Sequence, residues 1–298
     1  MQVLILGYGE MGHAMEALLH ARHRVAIWDK YPPDGMVPVR LEEAVPAADV
    51  IVFCLPASPH REVLEGIIPV LPRQSLCVTV AKGLDEAGHT ALDVFSDCLE
   101  QRGEFALVYG PMIAEELCSG RYGFGLAACT ASAYQRARSL FAGSRLLLSH
   151  TTDMRGASWS VILKNVYAIG FGIVDGLEMG DNVRGFLMVR ALAELCRIVE
   201  DMGGDARTCR ELPGLGDLTT TATSADSHHH ALGERLARGV AEGIAGEGVH
   251  TLHMVEKHGL LEIQHYPLFQ AIRDIVHEPG AARARMDDYL TACFAGPG

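Results

Sequence analysis

A chain of 298 residues exceeds what one ordinary core serves, and its 49% apolar content is enough to build two domains. Its 25 basic and 37 acidic residues leave a net charge of −12, with no Lys/Arg-rich block. That balance argues against a nucleic-acid or anionic-membrane role, so any anionic ligand needs a local cationic pocket.

The first predicted strand, Val3-Leu4-Ile5-Leu6, runs into Gly7-Tyr8-Gly9-Glu10-Met11-Gly12. A helix from Met11 to about Ala21 follows, then a second strand, Val25-Ala26-Ile27-Trp28, ending on Asp29. G-x-G-x-x-G between strand and helix, with an acid 22 residues beyond Gly7, is a dinucleotide-binding fingerprint. Gly7 permits the tight turn, Gly9 lets backbone approach a pyrophosphate, and Gly12 lets helix pack on strand. Glu10 and Met11 open the helix whose N–H groups face the phosphates. Asp29 suits a ribose 2′-hydroxyl and repels a 2′-phosphate, favouring NAD over NADP, while Lys30 beside it partly offsets that repulsion.

Further strands are predicted at Val50–Leu55, Leu76–Val80, Phe105–Val108, Phe124–Ala128 and Leu146–Leu148. Helices are predicted at Arg61–Ile68, Thr90–Gln101 and Ala131–Phe141. Apolar strands separated by helices indicate a parallel sheet covered on both faces. The fold class is therefore α/β, a Rossmann-type doubly wound parallel sheet over residues 1–153, the dinucleotide-binding domain. Past residue 155 the strand signal disappears. Leu187, Ala191, Leu195, Ile198 and Met202 form one stripe of a helix over Asn182–Met202. An all-helical C-terminal domain, residues 154–298, is expected to carry substrate binding and catalysis, with the boundary near Asp153.

The eight cysteines contain no C-x-x-C pair and fall mostly in apolar runs, which fits reduced, buried thiols of a cytoplasmic protein. A strand beginning at residue 2 leaves no room for a signal peptide, and no stretch of 18 apolar residues suggests a membrane span.

Three segments carry polar groups where packing alone would not put them. Lys82 follows a strand directly, at the carboxyl end where α/β sheets bind ligands, although a solvated loop lysine is an equal reading. Lys164-Asn165 interrupts an apolar helix, so the lysine must snorkel out or be paired. Desolvation and nearby cations can lower a lysine from its ordinary ~10.4, which makes it a usable general base. In Gly214-Leu215-Gly216-Asp217-Leu218, spacing favours Asp217 as a helix cap, although it could also orient a lysine ammonium. His228-His229-His230 lacks the i, i+4 spacing of a helical zinc pair, so no metal is expected there.

Together these segments resemble the NAD(P)-dependent glycerol-3-phosphate dehydrogenases along nearly the whole chain, in order. The match includes Gly7–Gly12, Pro56-Ala57-Ser58, Ala81-Lys82-Gly83-Leu84, and Gly110-Pro111 with Ala114. It continues through Leu163-Lys164-Asn165-Val166, Gly176, Gly180-Asp181-Asn182, Arg190, Glu194, the Gly214–Leu218 segment and Glu247-Gly248-Val249. The resemblance implies hydride transfer between C2 of a three-carbon polyol phosphate and nicotinamide C4, with NAD or NADP as cofactor. It implies Lys164 as proton acceptor, Lys82 as a substrate-binding lysine, Asp217 as the acid supporting Lys164, and Asn165 as a rotamer or substrate contact. Pro56, Ala114 and Glu247 fall at cofactor positions, and a homodimer is implied by the same analogy.

Two departures touch substrate recognition. Ten residues after Asp217 the family carries Ser-Arg-Asn, where this chain has Ser227, His228 and His229. Histidine lacks the bidentate fork, which weakens a phosphate clamp. The family's Gly-Pro-Ser-Phe-Ala reads Gly110-Pro111-Met112-Ile113-Ala114, placing a thioether where a hydroxyl would meet substrate. The leading expectation is interconversion of glycerol 3-phosphate and dihydroxyacetone phosphate. The alternatives are the same chemistry on a different or non-phosphorylated hydroxy substrate, or a non-catalytic dinucleotide sensor.

Overall fold

The seven apolar runs form one sheet: β1 (Gln2–Leu6), β2 (Arg24–Trp28), β3 (Val50–Phe53), β4 (Leu76–Thr79), β5 (Glu104–Tyr109), β6 (Gly123–Cys129) and β7 (Leu146–Thr151). The computed structural model describes residues 1–100, 102–224 and 227–295. The chain divides into two units, Met1–Ser158 and Trp159–Gly298, against an expected break near Asp153. Gln101 of the expected third helix, and residues 296–298 of the expected C-terminal domain, lie outside the described residues.

In the first unit the strand order is β2-β1-β3-β4-β5-β6-β7. Helices α1 (Glu10–Leu19), α2 (Leu41–Ala47), α3 (His60–Ile67) and α4 (Ala91–Leu99) connect the first five strands, all parallel. The wholly parallel sheet expected from the sequence needs correcting at β6, which runs antiparallel to β5. Its connection holds only the five-residue α5 (Ala114–Cys118), too short for a parallel crossover. Beyond it α6 (Ala131–Leu140) returns the chain so that β7 lies parallel to β6. The order reverses at β1, so the carboxyl ends of β1 and β3 flank a topological switch point. Val3, Ile5, Val50, Val52 and Val78 pack there against Met15 and Leu19 of α1.

One buried polar group in this core is not apolar packing. His60 is fully buried, edge-on to Phe53 and Phe95, with Nε2 3.5 Å from Thr79 Oγ1. The same hydroxyl accepts from Ala81 N at 3.2 Å, fixing the exit of β4 toward Lys82. Burial holds the His60 imidazole down at about 4.

The second unit has no strand among its described residues. Its helices are α7 (Met154–Gly176, which starts in the first unit), α8 (Asp181–Asp201), α9 (Ala206–Cys209), α10 (Asp217–Thr223), α11 (His228–Ala237), α12 (Glu247–His258), α13 (Pro267–His277) and α14 (Ala282–Ala292). Asp153 Oδ1 accepts from Gly156 N at 2.9 Å, which sets the start of α7. This helix is long and apolar enough to cross a membrane, with a mean hydropathy of 1.4, but it is buried within the protein. It is not an unbroken run of 18 apolar residues, since Lys164-Asn165 interrupts it, and it serves as the buried central helix of a fold. Helix α11 crosses it in backbone contact: a Cβ at Gly172 would lie 2.0 Å from the His230 carbonyl oxygen. In α8, Glu194 accepts from Leu268 N (2.7 Å) and Phe269 N (3.0 Å) at the start of α13 and from Tyr167 Oη (3.2 Å). Burial raises this carboxyl, opposed by those hydrogen bonds.

The expectation of eight reduced thiols is corrected at one pair. Cys196 of α8 and Cys209 of α9 are disulfide-bonded, with Cα atoms 5.6 Å apart. The other six are free. Helix packing, not a spacing motif, brings the two together.

The His60 environment predicts an acid-sensitive first unit. An unfolded chain takes up this proton near 6.5, the folded chain only near 4, so the stability is present above pH 6.5 and is lost as pH falls toward 4. The loss reaches about 3 kcal/mol. Urea unfolding followed at Trp28 should show wild-type stability falling more steeply on acidification than His60→Leu; equal slopes remove His60 from that role.

Candidate active site

Where β1 meets α1, the backbone forms a cradle. Gly7 has φ +95°, donates its N–H to Trp28 O at 2.8 Å, and has no room for a Cβ, which would sit 2.7 Å from Cys54 O. A Cβ at Gly12 would stand 2.2 Å from Gly7 O, so helix and strand touch there. At Gly9 the Cβ direction is open, leaving the start of α1 clear for a ligand. Exposed Glu10 and half-buried Met11 occupy the first turn. Gly7, Gly9, Asp29, Lys30, Pro56 and Glu62 line one cleft of about 790 Å³. Asp29 is locked by two backbone donors, Tyr8 N at 2.6 Å to one oxygen and Tyr31 N at 2.7 Å to the other. The Lys30 ammonium lies 3.6 Å from Glu62 Oε1. An open backbone cradle at a helix N-terminus beside a fixed acid fits a dinucleotide.

Also in the first unit, half-buried Lys82 donates to Gly110 O at 3.3 Å, so these two expected substrate residues meet. Ala114 opens α5 and is buried. Met112 is 4% exposed and belongs to the core, its sulfur 3.7 Å from the Cβ position of Gly125. The thioether is therefore a packing group.

In the second unit, the Lys164 side chain is only 6% exposed and that of Asp217 4%. Lys164 does not snorkel. Its Nζ lies 3.3 Å from Asp217 Oδ1 and donates to Thr221 Oγ1 at 2.7 Å. The Thr221 hydroxyl in turn donates to Asp217 O at 2.7 Å, one turn back along α10. The cap reading of Asp217 gives way to the other one: the N-cap position is Gly216, and Asp217, the first residue of α10, holds the ammonium. A π-helical turn, Leu212–Gly216, delivers it there. Thr221 was missed in the sequence; its signal was a hydroxyl four residues after the acid, back-bonding within a helix.

Asn165 is buried and donates from Nδ2 to Glu247 Oε2 at 3.1 Å, joining α7 to the start of α12. Ser227 caps α11 by accepting from His230 N at 3.2 Å. The three histidines diverge: His228 is exposed, the His229 ring lies beside Gly246, and His230 Nε2 meets Asp175 Oδ2 at 2.7 Å.

Residues 30–137 match the family model of the NAD-dependent glycerol-3-phosphate dehydrogenase N-terminus, and residues 153–286 match that of the C-terminus. The glycerol-3-phosphate dehydrogenase (NAD(P)+) of Thermus thermophilus is 31% identical over 310 residues, covering 93% of this chain and 94% of that protein. The chain belongs to the NAD-dependent glycerol-3-phosphate dehydrogenase family. The Rhodospirillum rubrum enzyme of the same name is also 31% identical, over 85% of this chain and 81% of its own. Among solved structures, glycerol-3-phosphate dehydrogenase from Coxiella burnetii superposes with a TM-score of 0.82 at 25% identity, covering 95% of this chain and 98% of that one.

Removing one member of a buried ion pair strands the other. Asp217→Ala should cost about 3–5 kcal/mol of second-unit stability, and Lys164→Met/Asp217→Leu should recover most of it. Guanidinium unfolding followed at Trp159 checks this; a single-variant cost no larger than that of the double would mean the pair is solvated.

Proposed function

We propose that this chain is an oxidoreductase interconverting sn-glycerol 3-phosphate and dihydroxyacetone phosphate with NAD(P), Lys164 acting as general acid/base. The observation that carries the reading is the enclosed Lys164–Asp217–Thr221 cluster in the segments that match the family. The relatives give no support to a different substrate or to a non-catalytic sensor.

When bound, the dinucleotide supplies the hydride acceptor or donor at its nicotinamide ring. In the oxidative direction Lys164 takes the proton of the substrate C2 hydroxyl; in the reverse direction it returns that proton to the forming alkoxide. Asp217 and Thr221 hold the amine to one rotamer, so its lone pair or proton is aimed before the substrate arrives. The Lys82 ammonium adds positive charge for an anionic substrate in a protein of net charge −12. Gly7, Gly9 and the first turn of α1 would hold the pyrophosphate through backbone N–H groups, with Pro56 lining the same cleft. Asn165, through Glu247, ties α7 to the cofactor-side residues of the family pattern.

NAD is the preferred coenzyme in this reading. Asp29 cannot swing aside for a 2′-phosphate, because two backbone N–H groups hold it, and Lys30 is turned toward Glu62. The six free cysteines speak for a cytoplasmic location and the Cys196–Cys209 disulfide against it.

Two outcomes are expected. Lys164→Ala should lower kcat about 10²–10⁴-fold, leave NADH affinity by fluorescence quenching near wild type, and regain turnover with added ethylamine. Undiminished turnover removes the lysine as base. Asp29→Asn should raise kcat/KM for NADPH relative to NADH about tenfold. An unchanged ratio in steady-state assays with both coenzymes would show that Asp29 does not select.

A further inference from the structure

The segment that delivers Asp217 is tethered by the disulfide. Cys209 ends α9, a helix of four residues that is too short to hold itself in place. Its carbonyl packs against Gly214 so tightly that a Cβ there would lie 1.9 Å from Cys209 O. Gly214 sits within the π-helical turn that leads directly into Asp217. From Cys196 on the long α8, one covalent bond therefore fixes α9, the turn and the acid in sequence.

The bond also borders an open groove on one side. Cys196, 6% exposed, lines an open groove of about 410 Å³ with Val189, Leu192, Arg197, Glu200 and Arg210. Among its lining residues Arg197 and Arg210 outnumber Glu200, the Arg197 guanidinium also lying over the Tyr266 ring and donating to His265 O, so the net charge favours an anionic thiol or thiolate. Cys209 is fully buried, so of the bonded pair Cys196 is the residue that borders the groove.

We propose that Cys196–Cys209 is a thiol-exchange site for small anionic thiols of the glutathione class, and that its reduction slackens the hold of Asp217 on Lys164. A thiolate attacks Cys196 Sγ, the S–S bond breaks, and Cys209 leaves as thiolate and takes a proton. A second thiolate attacks the external sulfur of the mixed disulfide and releases Cys196. In sum, one protein disulfide and two thiols give two protein thiols and one external disulfide. The cysteines act as positioning residues, and the proposal rests on the reading of Lys164 as base.

The test equilibrates the full-length protein in glutathione buffers from oxidising to reducing. Each sample is split for differential alkylation with peptide mass spectrometry, amide hydrogen exchange, and kcat measured against pH. The expected result is a bonded pair under oxidising buffer, with faster exchange over 209–221 on reduction. The kcat should fall about 10- to 100-fold, reversibly, with a displaced pH limb and unchanged NADH affinity. Cys196→Ser/Cys209→Ser should match the reduced protein and ignore thiols. Alkylation showing both thiols free in every buffer overturns the site. A bonded pair whose reduction leaves kcat and its pH profile unchanged overturns the coupling, as does exchange that rises uniformly across the second unit. Alkylation and exchange need no turnover, so they stand apart from the Lys164→Ala assay, which alone decides the base.

Discussion

A charged amine enclosed in an apolar helix dictates the architecture around it. Lys164 sits in α7, where nearly every neighbouring position is buried, and a lone ammonium there would be too costly to keep. The second unit supplies an anion and a hydroxyl from one turn of α10, both within hydrogen-bonding or ion-pairing distance. The π-helical turn, its glycine pressed against α9, and the disulfide to α8 all place that one turn of helix. Buried ion pairs seldom add stability over apolar packing, so retaining one in the middle of a core is a cost borne for chemistry.

The two units meet anionic ligands by different physical means. In the first unit the backbone carries the charge complement: N–H groups at the start of α1, cleared by three glycines, with Asp29 fixed by two more N–H groups. Partial charges of this kind cost no desolvation of a side chain and suit a protein whose net charge is −12. In the proposed reaction the second unit must move a proton, which backbone cannot do, and the buried side-chain amine of Lys164 is the group that could.

Much of this was legible before any coordinates. The alternation of apolar runs with helices locates all seven strands, most plainly β1, β3 and β4, which are buried at nearly every position. Lys164 stood out because an ionisable group breaking an apolar helix has few explanations. What stayed hidden depended on partners distant in sequence. The reversal of β6 follows from how little helix fits between β5 and β6, which spacing alone did not reveal. Local rules favour Asp217 as a cap, whereas the resemblance implies the partner of Lys164, and the approach of α7 makes it the counter-ion. His60 reads as an ordinary helix residue until Phe53 and Phe95 close around it. Cys196 and Cys209 share no motif, and the meeting of α8 with α9 made the bond.

The substituted phosphate clamp is compatible with this picture because binding and chemistry draw on different contacts. An arginine gripping a phosphate remote from C2 acts alike on bound substrate and transition state, so its loss raises KM without disabling the reaction. In its place stand His228 and His229 at the start of α11, a ten-residue helix whose N-terminal end carries partial positive charge. The anchor of that helix is intact: Gly172 meets its backbone, and His230 reaches Asp175. Under the proposed reading, the buried amine and the seated helix carry the chemistry, and the histidines at the start of α11 bear on affinity alone.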